Sequence, residues 1–252
     1  MTIAGQRGAG SVVYPDTDYM GEHELQRAIS VLLAELLTRL FAQRGVTAHA
    51  GSNTFIYWVE GDPETTIAPD VYVLPRVSPV LEVPCWKLWE LDGVKPSFAV
   101  EVASTNWKKD YDEAPALYAA MGCEELVIFD PHATERSRKR VRWQHYKRDA
   151  RGAFRRATVR ATDRVWVASL GFWLREVRDA HGRQRLRVGL GDLGTELLPT
   201  ADEAARASDE AAREADEARR KSDEARRVAE ADAARLRVEN EALRAAAKKS
   251  ST

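Results

Sequence analysis

Apolar and polar positions divide this chain into two unlike parts. In the first, short apolar runs alternate with turns. Val71-Tyr72-Val73-Leu74 follows Pro69-Asp70, Ser97-Phe98-Ala99-Val100 runs into Glu101-Val102, and Leu126-Val127-Ile128-Phe129 runs into Asp130-Pro131. Runs of this length bounded by turn residues predict strands. Between the last two, residues 108 to 121 have helical spacing and close on Gly122, so the order is strand, strand, helix, strand. Pro115 lacks a donor and fits only a first helical turn. The regular helix is therefore expected to start near Glu113 or Ala114, with Asp110 or Asp112 as cap and Trp107, Lys108 and Lys109 in the loop before it.

Upstream, residues 22 to 43 carry Ile29, Leu32, Leu33, Leu36, Leu37 and Leu40 at helical spacing, ended by Gly45. Thr54-Phe55-Ile56-Tyr57-Trp58-Val59 predicts a strand and Gly61-Asp62-Pro63-Glu64 a turn. Residues 1 to 13 predict a disordered arm, and Tyr14-Pro15-Asp16-Thr17-Asp18 a turn. Downstream, a hairpin is expected around Arg151-Gly152. Shorter strands follow at 164–168, 172–177 and 185–188, with Gly182 turning the last hairpin.

The second part begins at Pro199. Residues 201 to 247 hold no Pro or Gly and repeat every seven residues, from Ala-Asp-Glu-Ala-Ala-Arg-Ala at 201 to Ser-Asp-Glu-Ala-Arg-Arg-Val at 222. High helix propensity and acid-base pairs at helical spacing predict one long helix. Its seam, Ala201, Ser208, Ala215, Ser222, Ala229, Leu236, Leu243, is thin until the two leucines, with Asn240 between them. A weak homodimer through a coiled coil and a lone charged helix are both compatible with this pattern. The expected organisation is an arm at 1–13, a domain at 14–198 and a helical tail at 199–252.

Charge narrows the picture only locally. The 252 residues carry 38 Lys and Arg against 39 Asp and Glu, so no global pull toward nucleic acid or membrane exists. Residues 136 to 160 are the exception: Arg136, Arg138, Lys139, Arg140, Arg142 and six further basic residues face only Glu135 and Asp149. Such a ribbon fits phosphate contact, or the solvated face of an edge hairpin. Cys85 and Cys123 have no Cys-x-x-Cys spacing. Together with a start lacking an apolar core and no run long enough to span a bilayer, they lead to the expectation of a cytoplasmic protein.

The candidate chemistry sits at strand ends. Asp70 and Glu101 border strands that are otherwise apolar. A buried carboxylate is costly unless paired or holding a cation, and two of them suit a hard divalent ion. Either acid alone is explained as a turn residue or an ion-pair partner. Glu22, His23 and Glu24 open the first helix, where acids complement the dipole.

An ordered set of motifs carries a resemblance. Tyr57-Trp58-Val59-Glu60-Gly61-Asp62-Pro63, Pro69-Asp70, the strand ending Glu101-Val102-Ala103-Ser104, Asp110 and Tyr118, Met121-Gly122-Cys123-Glu124-Glu125 and Phe129-Asp130-Pro131 resemble the Uma2 family, within the larger PD-(D/E)XK nuclease fold. The resemblance covers residues 14 to 192. It implies an α/β restriction-endonuclease-like core, a mixed sheet flanked by helices, and a Mg2+- or Mn2+-dependent endonuclease acting on DNA. It also implies Asp70 and Glu101 as metal ligands, with the Val102 carbonyl assisting. The family reads a lysine four residues before the tyrosine, where this chain has Ala114. Lys108 and Lys109 are the candidate replacements, and Arg138, Arg140 and Arg142 the candidate DNA contacts. The alternative is a lapsed nuclease fold that binds nucleic acid or assembles through its tail.

Overall fold

The computed structural model describes residues 24–157 and 163–249, with side chains to residue 244. The expected arm, the turn at Tyr14, Glu22, His23 and Arg160 lie outside the described residues. The chain divides into two compact units at Leu198 and Pro199.

The first unit opens with helix α1 (Glu24–Arg44), then β1 (Ala48–Gly51), β2 (Ile56–Tyr57), β3 (Thr66–Ile67), β4 (Val71–Pro75) and β5 (Trp86–Lys87). Next come β6 (Phe98–Val102), helices α2 (Trp107–Asp112) and α3 (Ala114–Met121), and β7 (Glu125–Phe129). It ends with β8 (Trp143–Arg148), β9 (Phe154–Ala157), β10 (Arg164–Val167), β11 (Phe172–Arg178), β12 (Gln184–Leu190) and β13 (Glu196–Leu197). The main sheet has the order β1-β4-β6-β7-β8-β9. Only β6 and β7 run parallel in it, and the α2–α3 segment connects them. A four-stranded sheet β10-β11-β12-β13 and a small one, β3-β2-β5, complete the unit. The fold is α/β, with mixed sheets flanked by helices.

The period of two along each strand sorts the core into two layers. On one face of the main sheet, Val71, Val73, Phe98, Val100, Val127 and Phe129 pack against Ile29, Leu33, Leu36 and Leu40 of α1 and against β10 to β12. On the other, Tyr72, Leu74, Ala99, Leu126 and Ile128 pack against Tyr118 and Met121 of α3 and against Ile56 and Trp86 of the small sheet. Each fully buried Leu, Ile, Val or Phe contributes about 1.5–3 kcal/mol. The central strands are therefore apolar on both faces, which makes them continuous runs rather than alternating ones.

Helix ends follow local chemistry. Gly45, at φ 64°, closes α1: the Val46 amide donates to the Phe41 carbonyl at 2.9 Å and Gly45 to Ala42 at 3.2 Å. Gly122, at φ 89°, closes α3 the same way, with Cys123 donating to Tyr118 at 3.0 Å. A side chain would be strained at either position. The segment after Glu101 departs from the single late-starting helix of the sequence reading. Trp107, Lys108 and Lys109 are already helical, in α2, and a second helix starts at Ala114. Pro115 causes the break, because it has no N–H to give Tyr111 and its ring would crowd that carbonyl.

The second unit contains α4 (Ala201–Lys249). Thr200 caps it reciprocally: its hydroxyl accepts the Glu203 amide at 3.2 Å and the Glu203 carboxylate accepts the Thr200 amide at 2.9 Å, a capping box. Leu236 and Leu243 are exposed, and Asn240 donates to the Leu236 carbonyl at 3.1 Å.

Candidate active site

Strand pairing creates the site. β4 and β6 are antiparallel, with Val71 opposite Val100 and Tyr72 opposite Ala99. Continuing the register by one residue sets Asp70 opposite Glu101. Both belong to the face that carries Tyr72, Ala99 and α3, because side chains alternate along each strand. The two carboxyl groups are close enough to interact directly.

Asp70 is 2% exposed. It accepts the Val102 amide at 2.6 Å and the Gln26 side-chain amide of α1 at 2.6 Å. Glu101 is half-buried and accepts the Tyr118 hydroxyl at 2.5 Å. Burial raises the Asp70 carboxyl to about 6, against the pull of Val102, Gln26 and Glu101. Burial, and next the negative charge of Asp70, push Glu101 well above the usual carboxylate range; Tyr118 opposes this and Asp110 adds to it. Two acids this close cannot both ionise cheaply, and both carboxyls are shifted toward the protonated form. Among the described salt bridges none involves Asp70 or Glu101.

Glu101 opens into a cleft of about 340 Å³ lined also by Phe55, Ile67, Lys109, Asp110 and Ala114. Asp70 sits behind it. Ala114 is buried in the wall, where its methyl leaves room. Lys109 lines the cleft; Lys108 does not. Asp110 is held by the Ser104 amide at 3.0 Å and hydroxyl at 3.4 Å. Among the described residues no group of three or more His, Cys, Asp or Glu is placed to hold a metal ion. The residues nevertheless fit one divalent cation. Two hard oxygen ligands lie together with no counter-charge in the described ion pairs, and Mg2+ commonly takes only one or two carboxylates from a protein. Val102 contributes its amide to Asp70.

The basic stretch is not one ribbon. The expected hairpin forms from β8 and β9, but residues 136–142 precede it as loop. Arg140 grips the fully buried Asp130 at 2.7 and 3.0 Å, and reaches the Ser104 carbonyl at 2.8 Å. Arg142 donates to the carbonyls of Asp130 and Pro131 and pairs with Glu176 at 3.3 Å. Arg138 is exposed. Tyr111 also donates to Asp130, at 2.7 Å. Arg140 and Asp130 thus tie the end of β7 to the turn that presents Asp110. Of the three candidate DNA contacts, only Arg138 has its side chain given to solvent.

Gln26 was not legible as a site residue, since a lone glutamine on a helix carries no signal. The acids that open the same helix carry the more visible signal, although Gln26 is the side chain that meets Asp70.

These features are those of an α/β restriction-endonuclease-like fold with an acidic site. The Uma2 family, described as "Putative restriction endonuclease", matches residues 19–177. The chain belongs to that family. No curated protein matches it. Among the described residues no helix is long and apolar enough to cross a membrane.

Two outcomes follow. Arg140→Ala leaves Asp130 buried without its cation and should cost about 3–5 kcal/mol in urea unfolding. Arg138→Ala should change stability by less than about 0.5 kcal/mol; equal costs would mean that the Asp130 pair is not structural.

The raised carboxyls also set a pH dependence. Unfolded Asp and Glu titrate near about 4, the folded pair at about 6 and above. The folded pair therefore holds extra protons, and its stabilising share is complete below about pH 4 and lost as pH rises through 6. Glu101→Gln preserves the hydrogen bonds of a protonated glutamate. Its Tm relative to wild type should rise from pH 5 to pH 8, by roughly 2–4 °C per kcal/mol relieved. A gap that stays constant would contradict the raised carboxyls.

Proposed function

We propose that this protein is a divalent-metal-dependent endonuclease that hydrolyses phosphodiester bonds in DNA. The observation that carries the reading is the placement of Asp70 and Glu101 opposite one another on neighbouring strands, with Asp70 buried and Glu101 lining an open cleft. In this reading both carboxylates, with the Val102 carbonyl, hold Mg2+ or Mn2+. The chemistry such an ion supplies when bound is charge neutralisation at the phosphate and acidification of water.

The chain's own groups do the rest. Gln26 and the Val102 amide fix the Asp70 carboxylate, and Tyr118 fixes Glu101. Lys109 takes the place of the family lysine. From the cleft wall its ammonium stabilises charge developing on the phosphate, a task that Ala114 cannot perform. Lys108 lies outside the cleft lining and has the weaker claim. Arg138 and the neighbouring exposed Arg136 and Lys139 contact flanking phosphates, as mobile surface cations do.

The test is nicking of supercoiled plasmid with Mg2+ or Mn2+. Wild type should nick; Asp70→Ala should not. Lys109→Ala should slow nicking by about 100-fold or more, the scale for removing one charge-stabilising donor. Adding Ala114→Lys to Lys109→Ala should restore part of the rate. Lys109→Ala at the wild-type rate would remove Lys109 from the mechanism. Wild type no faster than Asp70→Ala, with DNA still bound, would instead make this a lapsed, nucleic-acid-holding member of the fold.

A further inference from the structure

The small sheet β3-β2-β5 has an inner side and an unusual outer one. Ile56 and Trp86 point inward and are 0% and 2% exposed. Trp86 is anchored there by its indole N–H, which donates to the Tyr72 hydroxyl at 2.5 Å. Period two then turns Phe55, Tyr57 and Val59 outward, and the register sets Lys87 beside Tyr57. Solvent-facing strand positions are ordinarily polar. Here Phe55 is 51% exposed, Val59 43% and, just beyond β5, Trp89 37%. Tyr57, Val59, Pro63, Lys87 and Trp89 border a cavity of about 350 Å³, at the lower end for a small-molecule site. The Phe55 and Tyr57 rings lie 6.3 Å apart.

Position distinguishes this surface from a scattered apolar patch. Phe55 also lines the Glu101 cleft, so the aromatic shelf is continuous with the acidic site, and Lys109 borders that site beyond Phe55. A ligand running from one to the other meets Lys109 and carboxylates at one end, and aromatic rings flanked by Lys87 and Asp62 at the other. A nucleic acid strand alternates phosphates and bases in that way. A base can stack on an aromatic ring only when it is unpaired from its complement, as in single-stranded segments.

We infer that the Phe55–Tyr57–Trp89 shelf holds an unpaired base next to the scissile phosphate, so that the preferred substrate is single-stranded DNA or a single-stranded segment of a branched duplex. This rests on the nuclease reading for the word scissile, but base stacking itself does not.

The experiment measures binding with EDTA present, so no cleavage enters it. An oligo-dT strand carrying a 2-aminopurine is titrated with the full-length protein, alongside a blunt duplex of the same sequence. Stacking on the shelf should quench 2-aminopurine in the single strand, which should bind more tightly than the duplex. Tyr57→Leu and Trp89→Leu keep apolar bulk and lie outside the carboxylate cleft. Each should weaken single-strand binding by about tenfold, within the range for losing one stacked base, and leave duplex binding unchanged. Asp70→Asn should still quench. Equal binding of strand and duplex, no quenching, or variants that bind as wild type does would overturn the shelf. Plasmid nicking that persists in that case would leave the nuclease reading standing. Quenching without nicking would do the reverse. If the shelf instead docks a protein or a second copy, the variants would alter light scattering and not the strand titration, which also overturns it.

Discussion

Two carboxyl groups set opposite one another with no counter-charge in the described ion pairs are the constraint around which this site is built. The cost arises from pairing: β4 and β6 cannot be in register without setting Asp70 opposite Glu101, on a face whose other members are Tyr72, Ala99 and Tyr118. A fold that needed only packing would have used apolar residues there. The surrounding groups offset part of the cost. Gln26 reaches from α1, the Val102 amide at the end of β6 donates to Asp70, and Tyr118 comes from α3. Three elements thus converge on one acid pair.

A second buried acid shows the contrast. Glu125 opens β7 and accepts His145 at 2.6 Å, the Ser169 amide at 2.7 Å and the Ala168 amide at 3.1 Å. Burial raises its pKa, but His145 and the Ser169 donors outweigh that and bring it to about 2. Glu125 is thus a satisfied anion tying the main sheet to the turn after β10. Asp130, gripped by Arg140, is satisfied as well. Asp70 and Glu101 lack such donors in number and have no cation in the described ion pairs, and that difference separates a site from a structural node.

Much of this was legible in the sequence. The strands that carry Asp70 and Glu101 are apolar on both faces and so announce themselves as runs, and the helix start at Ala114 lay in the expected place, though not the helix before it. The small sheet was less legible: the expected six-residue strand is a two-residue one, Ile56–Tyr57, because β3 and β5 each pair with it over two residues only. Gln26 could not be read, since its role comes from α1 crossing the end of β4. The arginines misled for a related reason. Charge in a sequence does not reveal a partner, and Asp130 and Glu176 lie close to Arg140 and Arg142 only once β7, β8 and β11 are in place.

The most direct measurement of the central claim is the heat of Mg2+ binding by titration calorimetry at pH 7, in buffers of different ionisation enthalpy. A cation entering between Asp70 and Glu101 must displace the proton that their raised pKa values retain, because carboxylate ligands bind deprotonated. Wild type should release about one proton per ion bound, and Glu101→Gln none. A heat that does not depend on the buffer, or a Gln variant that releases as many protons as wild type, would contradict the account.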